Sequence, residues 1–348
     1  MFHTEYNVLF SFFTSLIVTF ITIPKVIFFA EKFRLSDVPG ERASHNRSIP
    51  IFGGIAIFAG IIFSLLIWGK LDSIQFILVS LFVVFFVGVI DDLLSLTPFR
   101  KLIGQIVAIL IVIYLAEIQI SSMHGVLGIE NPLPDFIATL FTIFVVVVIT
   151  NAVNLIDGVD GLAGGLAFIS SFCFGVVALL MNHLDMAIIA FSLTGSLLAF
   201  LRYNFSPAKI FMGDTGSLLV GMILSILAIN LVSSGLVTDK INLPDKGPLL
   251  AIVFLSIPLF DSLRVFLTRI SKGRHPLYPG RGHIHHALLD LGIGHKKTAL
   301  VLYLISLVLI FGSYFLLEIN INSGIAILAG ISFIILIIPF YLLRKRNQ

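Results

Sequence analysis

The sequence predicts an all-α polytopic membrane protein of about eleven transmembrane helices, with its N-terminus outside and its C-terminus cytoplasmic. Three observations carry that expectation. Of 348 residues, 58% are hydrophobic and only 12% are charged, about half the charge of a soluble domain of this size. Apolar runs long enough to span lipid recur from end to end, at a mean hydropathy of +1.08, and a helix satisfies its own backbone there. Finally, Lys and Arg fall almost wholly in alternate connections.

The first span, 8–29, follows "MFHTEYN", which has no basic region and no small-residue cleavage site after it. It is expected to be retained rather than removed as a signal. The next spans are 51–68, 74–90, 102–118, 136–153, 166–181, 186–203, 218–231, 249–267, 298–317 and 325–343. Several are short, so tilts or kinks are expected, with Pro24 and Pro258 as the kink points.

One set of connections holds Lys32, Arg34, Arg42, Arg47, Arg100, Lys101, Arg202, Lys209, Arg269, Lys272, Arg274, Arg281, Lys296 and Lys297, and the tail adds Arg344, Lys345 and Arg346. The opposite connections hold only Lys70, Lys240 and Lys246. By the positive-inside rule the first set is cytoplasmic. Residues 1–348 then form a single integral membrane domain whose cytoplasmic loops carry the reactive groups. The formal charge of +3 reflects this topology; the basic residues are dispersed and lack a nucleic-acid recognition fold. Cys173 is the one cysteine, so no internal disulfide forms.

Four connections on the basic side concentrate the chemistry. "GVIDDLLSLTPFRKLIGQ" ends the third span with Asp91 and Asp92 and continues to Arg100 and Lys101. "NLIDGVDGLAGG", from Asn154, places Asp157 and Asp160 among glycines; three apart, they would share a face if the segment were helical. "RYNFSPAKIFMGDTGSLLVG" sets Asp214 between glycines just before the eighth span, and "GRHPLYPGRGHIHHALLDLG" brings His283, His285 and His286 beside Arg281. Carboxylates at a membrane face suit a hard divalent ion that also takes phosphate oxygens and water. Arg and His donate to phosphate oxygens, and glycine-flanked helix starts offer N–H groups to anions. The combination points to phosphoryl transfer.

Each motif also has a plainer reading. An acidic pair can be a solvated helix end, Asp157 and Asp160 turn-formers, and Asp214 an N-cap. Three histidines can be an interfacial cluster, or a zinc site that lacks cysteine support. Asp261 and Arg264, three apart in the ninth span, read as a structural ion pair, although an acid inside a membrane is also a functional suspect. The plainer readings weaken jointly, because all four motifs fall on one predicted side.

At these residues the chain resembles the polyprenyl-phosphate N-acetylhexosamine-1-phosphate transferases. The carrying segments are "DD" at Asp91 and Asp92, "NLIDGVDGLAGG", "NFSPAKIFMGDTGS", "GHIHHALLDLG" and the Pro-x-x-Gly-Gly run "PIFGG", in order over nearly the whole chain. The histidine stretch is closer to the branch acting on GlcNAc than to the branch acting on MurNAc-pentapeptide, where Phe commonly follows the histidines. The resemblance implies Asp214 as the magnesium ligand, with manganese as an alternative ion. It implies Asp91 and Asp92 beside the lipid phosphate and Lys101 on phosphate. Asp157, Gly158, Val159 and Asp160, opened by Asn154, would line the uridine pocket. Asn204 would contact the nucleoside and Phe211 would stack on uracil. His283, His285 and His286 would lie near the pyrophosphate and sugar, with His285 in the catalytic set. Arg47 stands where some members have lysine.

The activity so implied is transfer of N-acetylhexosamine-1-phosphate, foremost GlcNAc-1-phosphate, from a UDP-sugar to undecaprenyl phosphate, initiating cell-surface polysaccharide synthesis. FucNAc, QuiNAc and MurNAc-pentapeptide donors are the alternatives. The expected setting is the bacterial inner membrane with the site on the cytoplasmic face. The expected partners are the UDP-sugar, the lipid and, as an option, a second copy of the chain; nucleic acid is not among them. An ion-coupled transporter is the rival from another class, but its acids would sit near the bilayer midplane between repeats. A CDP-alcohol phosphatidyltransferase would need Asp-Gly-x-x-Ala-Arg, and "DGVDGLAGG" has no arginine. A non-enzymatic scaffold leaves the clustered polar loops without a cause.

Overall fold

The computed structural model describes residues 5–33, 36–37, 49–238, 241–273, 280 and 282–346. Thirteen α-helices occupy them: α1 (Glu5–Lys32), α2 (Gly53–Trp68), α3 (Leu71–Leu94), α4 (Pro98–Tyr114), α5 (Asp135–Ile156), α6 (Leu162–Leu180), α7 (Leu184–Asn204), α8 (Gly213–Ser234), α9 (Gly247–Phe254), α10 (Ser256–Ser271), α11 (Ile284–Asp290), α12 (His295–Gly312) and α13 (Ile321–Arg346). Two short antiparallel pairs, Ser36–Asp37 with Ile49–Pro50 and Leu236–Val237 with Asn242–Leu243, close loops. The chain is an all-α polytopic membrane protein: among the described residues, eight helices are long and apolar enough to cross a membrane.

Every predicted span coincides with a helix, but not all on equal terms. α2 and α4, at 16 and 17 residues, are shorter than those eight. The ninth predicted span is two helices, α9 and α10, bent by 73°. Pro258 explains the break. Its ring collides with the carbonyl four residues back, which is that of Phe254, where α9 stops. Pro24, the other expected kink, lies inside α1, which runs on through it.

α8 is the hub. Burial covers 89% of its spanning window, against 17% for α1 and 22% for α13 at the rim. Phe10, Phe13 and Phe20 on α1 point outward, as lipid-facing side chains should. Small residues let the backbones close on the hub. At Gly88 of α3, a Cβ would come within 2.4 Å of the Thr215 Cα. Hydroxyls knit α1, α2 and α7: Ser64 Oγ lies 2.8 Å from Ser192 Oγ and donates to the Ser11 carbonyl at 2.8 Å, and Thr19 Oγ1 donates to Ser196 Oγ at 3.1 Å.

Candidate active site

The C-terminal ends of α3, α5 and α7 meet the N-terminal ends of α4, α6 and α8, and the four motifs come together there. Lys101, in the first turn of α4, bridges two helices. Its Nζ lies 2.9 Å from Asp91 Oδ2 on α3 and 2.8 Å from Asp214 Oδ1 on α8. Asn154, at the end of α5, donates to the same Asp214 oxygen and to Ser217 Oγ at 2.8 Å. Four helices therefore converge on one carboxylate. Thr97 caps α4 by accepting from Arg100 N–H, and Pro98 begins the helix where its missing N–H is harmless.

The adjacent acids Asp91 and Asp92 do different things. Asp91 takes the Leu96 N–H at 2.7 Å and pairs with Lys101. Asp92 caps another helix. Its Oδ1 accepts from Asp214 N–H at 2.7 Å, and its Oδ2 accepts from Thr215 N–H at 3.0 Å and from Thr215 Oγ1 at 2.5 Å. These are orphan donors at a helix start, where the dipole also favours an anion. The expectation that Asp214 precedes the eighth helix, or caps it, is corrected by this contact. α8 begins at Gly213, Asp214 lies in its first turn, and Met212 at the N-cap makes no side-chain cap. Gly213 has φ +69°, and a Cβ there would meet Asp92 Oδ2 at 2.7 Å.

Asp157 and Asp160 do not share a helical face. α5 ends at Ile156 and α6 begins at Leu162, and Gly161 turns the link with φ +78°. The two acids therefore meet different neighbours. Burial, reinforced by the Asp214, Asp92 and Asp160 charges, pushes the Asp157 carboxyl up to about 7. Burial also works to raise Asp160, but His295 and the Ala208 N–H, with Ser206, outweigh it and hold that carboxyl below its ordinary range. The Ala208 N–H donates to Asp160 Oδ2 at 3.1 Å, and His295 Nδ1 lies 3.4 Å from Oδ1.

Asn204 is buried and braces this link. It accepts from Gly161 N–H at 2.9 Å and donates to the Ile210 carbonyl at 2.8 Å. Tyr303 of α12 donates to the Gly161 carbonyl. Val159 packs into the core. Phe211 is half-buried and ties the "PIFGG" run to the Asp214 loop: its N–H donates to the Pro50 carbonyl at 2.7 Å, and its own carbonyl accepts from Gly53 at 2.9 Å.

The histidines approach the same place from α11, a seven-residue helix the apolar pattern does not foretell. His285 is buried against Gly158; a Cβ on Gly158 would lie 2.5 Å from His285 Nε2. The His283 and His285 rings stack at 5.6 Å, and His286 lies 4.2 Å from His285. Arg47 and Arg281 lie outside the described residues. Thr215, Ser217, His295 and Tyr303 were not singled out from the sequence. Only Thr215 and Ser217 carried a signal, one and three places after Asp214.

Among the described residues, no group of three or more His, Cys, Asp or Glu side chains forms a cage for a metal. The donor set fits an ion that is only half caged by protein. Magnesium takes one or two carboxylates and completes its shell with phosphate oxygens and water. Asp214, at 32% side-chain exposure against 7% for Asp91, is the open carboxylate of the pair that Lys101 bridges.

The fold and site define a polytopic helical membrane protein with lysine-bridged carboxylates and histidines gathered at one end of the bundle. Residues 74–232 match the family described as glycosyl transferase family 4. The chain is 33% identical over 301 residues to a probable undecaprenyl-phosphate N-acetylglucosaminyl 1-phosphate transferase of Bacillus subtilis, covering 86% of this chain and 82% of the relative. It is 33% identical over 304 residues to the undecaprenyl-phosphate alpha-N-acetylglucosaminyl 1-phosphate transferase of Haemophilus influenzae, covering 86% and 84%. A decaprenyl-phosphate N-acetylglucosaminephosphotransferase of Mycobacterium leprae is 31% identical over 362 residues, covering 96% and 90%. The chain belongs to this family of polyprenyl-phosphate N-acetylhexosamine-1-phosphate transferases.

Proposed function

We propose that the protein transfers GlcNAc-1-phosphate from UDP-GlcNAc to undecaprenyl phosphate, at the cytoplasmic face of a bacterial inner membrane. The observation that carries the reading is the junction at Asp214. Four helices bring Lys101, Asp91 and Asn154 to one half-open carboxylate, with the Asp157 turn and His285 beside it. The names of the relatives supply the acceptor and the sugar.

In the transfer, an oxygen of the lipid phosphate bonds to the sugar-side phosphorus. The bond from that phosphorus to the bridging oxygen breaks, and UMP leaves with the bridging oxygen. The lipid phosphate is already ionised, so attack is direct and needs no covalent enzyme intermediate. Lys101 offers a fixed positive charge to phosphate, and Asp91 steers the lipid phosphate through its pairing with Lys101. The glycines of the α5–α6 link let backbone approach the nucleotide closely, and His285 faces the sugar diphosphate. Asp214 would hold magnesium, or manganese in its place, and the ion supplies charge neutralisation at the pyrophosphate when bound.

The test is a donor panel, UDP-GlcNAc with UDP-FucNAc, UDP-QuiNAc and UDP-MurNAc-pentapeptide, assayed for UMP release by purified protein with undecaprenyl phosphate and magnesium. UDP-GlcNAc should turn over fastest, and Asp214→Asn should abolish turnover in a protein that stays folded. No UMP from any donor, or near-normal activity of Asp214→Asn, overturns the reading.

A further inference from the structure

The phosphate chemistry leaves one buried acid unused. Asp261 of α10 is wholly buried. Its Oδ1 accepts from Arg264 at 2.7 Å and from Ile284 N–H at 3.0 Å, and its Oδ2 lies 2.9 Å from His283 Nδ1. Arg264 also donates to the Gly282 carbonyl at 2.6 Å and lies 4.0 Å over the Phe340 ring of α13.

A simple i,i+3 ion pair, as the sequence suggests, would neutralise itself within α10. This one reaches further. The two charged groups hold three consecutive residues of the histidine segment: Gly282 by its carbonyl, His283 by its ring and Ile284 by its N–H. α11 has seven residues, too few to be stable without such anchorage. The chain of contact then continues. His283 is itself buried, its ring stacks parallel on His285, and His285 packs on Gly158 beside Asp157.

We propose that Asp261 is a positioning residue and that His283 is a strut rather than the sugar-diphosphate contact the resemblance implies: together they set His285 against the Gly158 turn, and neither touches substrate. His285 and His286 are left as the histidines that face the sugar diphosphate. The inference deepens the transferase reading and rests on it for its activity readout, but not for its geometry.

The test uses full-length protein in detergent, with turnover of UDP-GlcNAc and hydrogen exchange across 282–290 as separate readouts. His283→Asn places a side-chain N–H where Nδ1–H stood. It keeps the bond to Asp261 but not the ring stacked on His285, so it should leave exchange unchanged and lower kcat less than His283→Ala does. His283→Ala should lower kcat by about 10- to 100-fold, with KM changed little, and speed exchange. Asp261→Ala should speed exchange of the segment by about tenfold or more. If Asp261→Ala does not fold, Asp261→Asn, which keeps an acceptor for Ile284 N–H but loses the acceptor for His283, should fold and speed exchange by about threefold or more. A His283→Asn as slow as His283→Ala although its segment stays protected overturns the strut, as does near-normal turnover of His283→Ala. Unchanged exchange in folded Asp261→Ala, or in folded Asp261→Asn, overturns the anchor. If wild-type protein turns over no UDP-GlcNAc, the transferase reading falls, and exchange alone still decides the positioning role.

Discussion

Asp92 holds the backbone of Asp214. The two are 122 residues apart in sequence, and the 2.7 Å bond from Asp214 N–H to Asp92 Oδ1 fixes the first turn of the central helix. Asp92 is therefore placed to act through Asp214. A hydrogen bond to a charged acceptor contributes about 1.5–3 kcal/mol. Asp92→Asn should slow turnover by about 10- to 100-fold, short of the loss from Asp214→Asn. Thr215→Val removes a donor to the same carboxylate. Its effect should add to that of Asp92→Asn less than fully, because both break one cap. Steady-state rates of the two single variants and the double variant measure this. Full additivity, with Asp92→Asn as inactive as Asp214→Asn, assigns Asp92 to the chemistry itself.

Gly158 should tolerate no side chain. A Cβ at 2.5 Å from His285 Nε2 requires the ring or the turn to shift. Gly158→Ala should fold with a thermal midpoint close to wild type, because the turn is at an edge of the bundle, and should lose about tenfold or more in kcat. A variant that keeps full kcat means that His285 need not sit where the structure holds it.

The fold was legible because lipid imposes a simple code. Each apolar run becomes a helix, because only a helix satisfies its own backbone there. The Pro258 break was legible for the same local reason: one ring and one carbonyl four residues away decide it. The cap of α8 by Asp92 was not, since no window of sequence contains both partners. α11 was hidden too, being seven residues held by α10 rather than by its own pattern. In the site, the residue types and their convergence could be read from the motifs. The division of labour between Asp91 and Asp92, and between Asp157 and Asp160, depends on which neighbour each side chain meets, which spacing does not encode.

Asp157 should make the protein less stable as pH rises through the neutral range when no divalent cation is present. Its folded carboxyl titrates at about 7, against about 3.9 unfolded. Below about pH 4 both states hold the proton and there is no penalty. From about 4 to 7 the unfolded state gives up its proton while the folded state keeps it, so stability falls, and it levels off above. Unfolding midpoints in detergent with chelator, taken from pH 5 to 8, should show the decline, and Asp157→Asn should flatten it. An equal decline in the variant assigns the effect to another group.

Asp160 should behave in the opposite sense, which makes the pair a test of the α5–α6 link itself. Its folded carboxyl lies below the ordinary range because the His295 contact and the Ala208 and Ser206 donors overcome burial. It therefore contributes stability at pH values above the unfolded pKa, and that contribution is lost as pH falls through the lower folded value. His295→Ala removes the strongest of the opposing contacts and leaves the Ala208 N–H in place. The variant should begin to unfold at a higher pH on the acid limb than wild type. Asp157→Asn should do the converse, altering the neutral range and sparing the acid limb. If Asp157→Asn moves both limbs alike, the two carboxylates share one environment, and the turn at Gly161 does not separate them as the structure has it.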